Sequence, residues 1–124
     1  MSEAEMLELM ANFRRAYGRA DRAGLEAVTS ADFTWHQHEG SAPQGRVLNG
    51  IDELLNEIAR RSEDWQDVSY DNMVERAAGT DLLVQTFTIS GSDKGTPFHA
   101  DVVDLYPVQD GLITRKDTYW KYQP

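Results

Sequence analysis

The apolar spacing of this chain shifts lastingly near Trp65, from mainly helical to strand-like, and that shift limits the architectures open to it. Before Trp65, apolar side chains recur every three or four residues, the repeat of a helix with one buried face. Met6, Leu9, Met10, Phe13, Ala16, Tyr17 and Ala20 form such a stripe over residues 2–20, and Ser2 with Glu5 makes a capping-box pattern at its start. A second, short helical segment is predicted over Asp21–Val28, with Asp21 as its cap. Ile51, Leu54, Leu55, Ile58 and Ala59 predict another helix, from about Ile51 to Arg61. Its acidic residues Asp52, Glu53 and Glu57 lie towards the positive end of the helix dipole, and Arg60 and Arg61 lie at the negative end. Between these helices, Phe33–His38 alternates and carries aromatics, as a strand does. Pro43, Gly45 and Asn49-Gly50 mark residues Ser41–Gly50 as a loop.

Beyond Trp65 the period falls to two. Trp65–Arg76, Leu82–Ser90, Phe98–Val108 and Leu112–Tyr122 read as strands, joined at Ala78–Asp81, at Gly91–Gly95 and at Gln109–Gly111. Asp110-Gly111 between apolar runs is a hairpin signal. Three successive hairpins give an antiparallel meander, and helices followed by strands define the α+β class. The expectation is a single domain spanning 1–124, with a cone-shaped, curved antiparallel sheet wrapped around the long N-terminal helix. The wide end of such a cone is a pocket.

Composition narrows the function. The 124 residues, 14.0 kDa, suit one core. With no cysteine, disulfide scaffolds, zinc–thiolate sites and thiol nucleophiles are excluded. A net charge of −9 repels phosphate backbones. Arg14-Arg15 and Arg60-Arg61 read as solvated helix faces, so no nucleic-acid partner is expected. No stretch of about 18 apolar residues offers a membrane span. The acidic start Met1–Glu5 lacks the basic and apolar regions of a signal peptide, which leaves the cytoplasm as the expected compartment.

Three stretches resemble the SnoaL-like and ketosteroid-isomerase-like group of the nuclear-transport-factor-2-like superfamily. Tyr17–Trp35 is similar to that group's helix–turn–short-helix entry to the first strand. Trp35–Gly50 is similar to its Trp-His, Gly and loop segment, and Asp101–Trp120 to its closing hairpin. The resemblance implies a pocket for a small apolar molecule and cofactor-free acid–base chemistry of isomerase, cyclase or dehydratase type. A non-catalytic ligand-binding or dimerisation module of the same fold is the alternative. Ketosteroid isomerases need an aspartate base, a tyrosine donor and a protonated aspartate. Ungapped matching puts Gln37 at the base and Phe13 at the tyrosine, and leaves Asp104 as the second aspartate. An amide takes no proton and a phenyl ring donates none, which counts against steroid isomerisation by that route. Tyr17, one turn after Phe13, could replace the donor.

Strand alternation sets Ala100, Val102, Asp104 and Tyr106 on one face. If that face lines the pocket, Asp104 is the acid, base or donor; otherwise it pairs across the strands with Lys116 or Arg115. Lys116 shares a face with Thr114, Thr118 and Trp120, which the resemblance implies is the pocket face; there it binds an anion or holds Asp104 ionised, and otherwise it snorkels at a strand edge. His36 has the basicity of a general base, provided it turns to the pocket. Alternation instead sets His36 and His38 opposite Phe33, Trp35 and Gln37. The histidine pair could chelate a metal with His99, Asp101 or Glu39, but the resemblance implies none. His99 and Asp101 alternate away from Asp104, towards solvent or a partner subunit. Phe13, Trp35, Phe87, Tyr106 and Trp120 each suit core packing, but as a cluster with polar tips they suit pocket walls, with Val102 and Thr118 beside them and Gln37 and Gln85 as neutral polar handles. An open curved sheet leaves a face uncovered, so a homodimer is expected.

Overall fold

A computed structural model describes residues 1–124. Three helices and six strands follow in the order α1 (Glu3–Gly18), α2 (Arg22–Val28), β1 (Thr29–His36), β2 (Val47–Asn49), α3 (Gly50–Asp64), β3 (Trp65–Ala78), β4 (Leu82–Asp93), β5 (Thr96–Gln109) and β6 (Leu112–Tyr122). The predicted capping box starts α1. The Ser2 hydroxyl accepts from the Glu5 N–H at 3.1 Å, and the Ser2 N–H donates to the Glu5 carboxylate at 2.9 Å. Asp21 caps α2 through the Gly24 N–H.

The sheet runs β2-β1-β6-β5-β4-β3. Strands β3 to β6 form the expected antiparallel meander, but β1 lies parallel to β6, so the sheet is mixed. Alternation reveals a strand but carries no information on its direction or neighbour. Three boundaries also differ from the sequence reading, the first being β1, which runs Thr29–His36 and not Phe33–His38. Val47–Asn49, inside the predicted loop, pairs with β1. The β4–β5 hairpin runs through Gly91 and Pro97 to a tight turn at Lys94-Gly95, both with positive φ. Pro97 is tolerated there because β6 pairs with β5 only from Ala100 onwards, leaving its missing N–H at a local edge.

Curvature comes from bulges. On β3 the register slips between Gln66 and Ser69 and again between Asp71 and Val74. Asp67 and Asn72, at these slips, have φ of 54° and 58°, a region that Asp and Asn tolerate best among non-glycine residues. A third slip lies between Leu105 and Val108 where β5 meets β6. Each bulge bends the sheet around α1 and reverses which residues point inward.

The interior holds two packed clusters. The larger, under α1, gathers Met6, Met10, Phe13, Leu25, Phe33 and Trp35 with Tyr106 and Ile113. The smaller is built on Ile89, Ala100 and Val102, flanked by Trp65, Phe87 and Trp120. Between them the cone stays open.

Candidate functional site

That opening is a cavity of about 590 Å³. Its walls come from both clusters: Phe13, Tyr17, Trp35 and Tyr106 on one side, Trp65, Phe87, Ile89 and Trp120 on the other. Asp104 and Lys116 lie among these walls, 1% and 6% exposed. They form the ion pair weighed from the sequence, Nζ to Oδ2 at 3.0 Å. The second Asp104 oxygen accepts a short hydrogen bond from the Thr118 hydroxyl, which itself accepts from the Trp35 indole at 3.0 Å. Lys116 also donates to the Tyr106 hydroxyl at 2.9 Å, and Tyr106 donates to Gln85 Oε1 at 3.1 Å. The Gln85 amide nitrogen donates to Glu75 at 2.7 Å, and Arg14 at the rim pairs with the same carboxylate. A continuous hydrogen-bonded chain thus runs from the buried indole of Trp35 to the half-exposed Arg14. Every buried polar group in it has a partner, as burial requires.

Burial pulls the Lys116 ammonium below the ordinary lysine range, against the pull of Asp104. Burial, with the Asp104 charge, pushes the Tyr106 phenol well above its usual value. Tyr17 is raised by burial too, while the nearby Arg61 works the other way. The Tyr17 oxygen accepts from Arg61 at 3.4 Å, which leaves its own O–H free to donate into the cavity.

The sequence-predicted residues divide cleanly. Asp104, Lys116, Tyr17, Thr118, Gln85 and the walls Phe13, Trp35, Phe87, Tyr106 and Trp120 all line this cavity. Three do not. His36 pairs in the ladder with Val47 and Asp117, on the face opposite the inward Trp35, with no bulge to turn it round. Gln37 is inward but lies past the end of β1, where it lines a neighbouring polar cavity of about 740 Å³. Val102 is packed into the smaller cluster, between Phe87 and Trp120 in register, behind the wall. Thr114 parts from Lys116 because the β6 bulge changes the alternation, and it bonds the Pro107 carbonyl instead. His36 and His38 do not share a chelating face. His38 stacks on Trp120 with ring centroids 4.0 Å apart and contacts Glu39, and no three His, Asp or Glu side chains converge as a metal set.

Arg61 is the residue most misjudged from sequence. Its guanidinium lies between the rings of Trp35 and Trp65, 4.8 and 4.3 Å from their centroids, and it pairs with buried Glu57. Together with Trp65 and Trp120 it lines both cavities and separates them. The signal was its place on the apolar stripe of α3: Leu54, Ile58, Arg61 and Trp65 follow at helical spacing. Glu75 was missed because the Asn72 bulge changes the parity of β3. Tyr70, Met73 and Glu75 all turn inward as a result.

A long first helix, a curved six-stranded sheet and a cavity between them define the nuclear-transport-factor-2-like class of α+β proteins. Within that class the chain belongs to the SnoaL-like domain family, whose sequence model matches residues 10–116. It is similar to a solved nuclear-transport-factor-2-like protein from Burkholderia xenovorans, at 27% identity and a TM-score of 0.82, over 98% of this chain and 92% of that one. A protein of ketosteroid-isomerase-like fold from Catenulispora acidiphila, solved with trimethylamine, shares 22% identity, a TM-score of 0.69 and 92% and 85% of the two chains. A candidate polyketide cyclase from Xanthomonas campestris shares 16% identity, a TM-score of 0.72 and 96% and 92% of the two chains. At these last identities the likeness is one of fold. No curated protein sequence matches the chain. None of its helices is long and apolar enough to cross a membrane.

Proposed function

We propose that this chain binds a small, mostly apolar molecule in the aromatic cavity and acts on it by cofactor-free acid–base chemistry of isomerase, cyclase or dehydratase type. The observation that carries the reading is the buried Asp104–Lys116 pair in a cavity whose other walls are largely aromatic. A protein without function rarely keeps two charges out of water beside a void of this size. Lys116 and the Tyr17 hydroxyl supply donors to a carbonyl or hydroxyl oxygen. Asp104 sets the charge on Lys116 and takes or returns its proton. The polyketide-cyclase and ketosteroid-isomerase-like descriptions of the structural neighbours fit this class of chemistry.

Screening the purified protein by thermal shift against small apolar carbonyls, phenols, steroids, polyketide fragments and terpene epoxides tests it. A ligand at a hundred times its dissociation constant adds about 2.7 kcal/mol of stability. A hit followed by loss of turnover in Asp104→Asn, with the fold retained, supports the enzyme reading. A blank panel sinks the small-ligand reading.

A second reading has its own support. Both Asp104 oxygens are already engaged, by Lys116 and Thr118, and the positions matching the isomerase base and tyrosine hold Gln37 and Phe13. Under this reading the chain is a non-catalytic binding or dimerisation module, and Asp104→Asn alters stability alone. A homodimer belongs to either reading. Val74, Thr86, Val103 and Tyr119 lie in one cross-strand row on the outer face of the sheet, with Val103 and Tyr119 37% and 53% exposed. Sedimentation as a monomer at micromolar concentration would remove the dimer. The cytoplasm remains the proposed compartment.

A further inference from the structure

The chain has three lysines, and one is unlike the others. Lys94 and Lys121 are exposed, whereas Lys116 sits in the cavity wall with its side chain 8% exposed. Two of its three protons go to Asp104 and Tyr106, and the chain supplies no acceptor for the third. The rings of Tyr17, Trp35 and Tyr106 surround Nζ at 5.1, 5.2 and 5.1 Å. The site therefore holds a cation at one fixed point, between a carboxylate and three π faces.

We propose that Lys116 is the nucleophile of an imine-forming site that captures a small apolar aldehyde or ketone through Nζ. This rests on the small-ligand reading of the same cavity and adds a covalent bond to it.

The chemistry balances within the residues present. Asp104 accepts a proton from the ammonium, giving a neutral amine beside a neutral acid. Desolvation favours that exchange, because it removes both charges at once. The amine attacks the carbonyl carbon while the Tyr17 O–H hydrogen-bonds to its oxygen, and the nitrogen proton moves to that oxygen to complete the carbinolamine. Asp104 then returns its proton to the departing hydroxyl, water leaves, and the C=N bond forms as an iminium. In sum, a lysine ammonium and a carbonyl give a protonated imine and one water. The iminium is again a cation, at the same point, opposite the same carboxylate and ringed by the same aromatic faces.

The groups facing Nζ point the same way. From β5, Asp104 and Tyr106 hold it. From α1 comes the Tyr17 ring, and from α3 the positive Arg61, which adds to the lowering that burial imposes on Lys116. The apolar walls limit the water that would hydrolyse an imine.

The test uses the intact chain with benzaldehyde and acetophenone as probes. Thermal shift reports occupancy. In parallel, cyanoborohydride near neutral pH locks any imine as a secondary amine, which intact mass and peptide mapping then locate. The expected result is one adduct, on Lys116, with Lys94, Lys121 and the amino terminus unlabelled over the same interval, because only Lys116 holds a bound carbonyl beside Asp104 and the Tyr17 ring. Lys116→Arg keeps the charge and should abolish that adduct. Should this variant fail to fold, the map of the unmutated chain still decides. A thermal shift without a Lys116 adduct overturns the imine and leaves the small-ligand reading standing. Equal labelling of all amines also overturns it. No shift and no adduct counts against both.

Discussion

Two carboxylates are buried in this chain, Asp104 and Glu57, and they are neutralised in opposite ways. Glu57 on α3 receives three guanidinium groups: Arg60 at 2.8 Å, Arg61 at 2.9 Å and Arg46 at 3.3 Å. Burial pushes its acidity down, but the arginine hydrogen bonds and charges win and hold its pKa at about 2. Arginine does not release a proton in a protein, so this cluster is fixed in one charge state. Asp104 on β5 instead meets a lysine and a hydroxyl, whose protons can move. The permanent cluster braces α3 and positions Arg61 as the partition between the two cavities. The labile pair faces the empty volume. The proposed chemistry is assigned to the pair whose partners can exchange protons.

The largest effect should come from breaking the labile pair on one side. Lys116→Met leaves Asp104 buried and unpaired, and urea denaturation should show a loss of about 3–5 kcal/mol. Removing both charges with Asp104→Leu and Lys116→Met should recover it, leaving stability equal to the parent or above it by about 1–4 kcal/mol. If the double variant stays as unstable as the single one, the pair is a structural requirement and not a functional cost.

Next in size is the acid sensitivity of the fixed cluster. The Glu57 pKa falls from 4.5 to about 2 on folding, so its contribution is present above pH 4.5 and is lost as pH falls through about 2. That lowering corresponds to about 3 kcal/mol. Denaturation curves taken between pH 4.5 and pH 2 should therefore lose about 3 kcal/mol more in the parent than in Glu57→Gln, which has no proton to take up there. Parallel slopes for the two proteins would mean that Glu57 is not held ionised by its arginines.

The comparison also shows what a sequence can and cannot carry. The labile pair was legible only in part: alternation and the family resemblance marked Asp104 and Lys116 on neighbouring strands, but the hairpin register, with Val108 opposite Ile113, would set Asp104 opposite Asp117, and it is the β6 bulge that brings Asp104 opposite Thr118 and onto the face of Lys116. The fixed cluster was not. Glu57, Arg60 and Arg61 fit the ordinary charge gradient of a solvated helix, and only the stripe running through Leu54, Ile58 and Trp65 betrayed that Arg61 turns inward. The mixed sheet was hidden because strand direction leaves no mark on alternation. Thr114 was misplaced and Glu75 was missed for one shared reason: a bulge shifts parity by one, and every residue beyond it changes face. Asp67 and Asn72, polar residues within a strand, were the available signs of the bulges on β3.

Glu75 offers a smaller test of how far the labile pair is organised from outside. Its carboxylate accepts from the Gln85 amide nitrogen, and this keeps Gln85 Oε1 turned to the Tyr106 hydroxyl. In Glu75→Leu the Gln85 amide nitrogen loses its acceptor, and nothing then holds Gln85 Oε1 on the Tyr106 hydroxyl. The expected cost is about 1–2 kcal/mol in denaturant. Arg14→Ala, which removes only the half-exposed end of the chain, should cost under about 1 kcal/mol. Equal costs would mean that Glu75 is held by its surface partner alone and orders nothing inside.

The smallest effect on stability should accompany the sharpest effect on the site. Tyr17→Phe removes one hydroxyl that accepts a long, 3.4 Å bond from Arg61, while Arg61 keeps Glu57 and both tryptophan faces. Stability should fall by about 0.5–1.5 kcal/mol, the worth of one hydrogen bond. A carbonyl ligand, however, loses the donor that the Tyr17 O–H offers, and a buried acceptor left unpaired costs about 1–3 kcal/mol. Titrating a carbonyl ligand and its deoxygenated analogue into both proteins separates the two roles. Weakened binding of the carbonyl alone makes Tyr17 a polarising donor to the ligand. Equal weakening of both makes it a wall, and the labile pair would then act without help from α1.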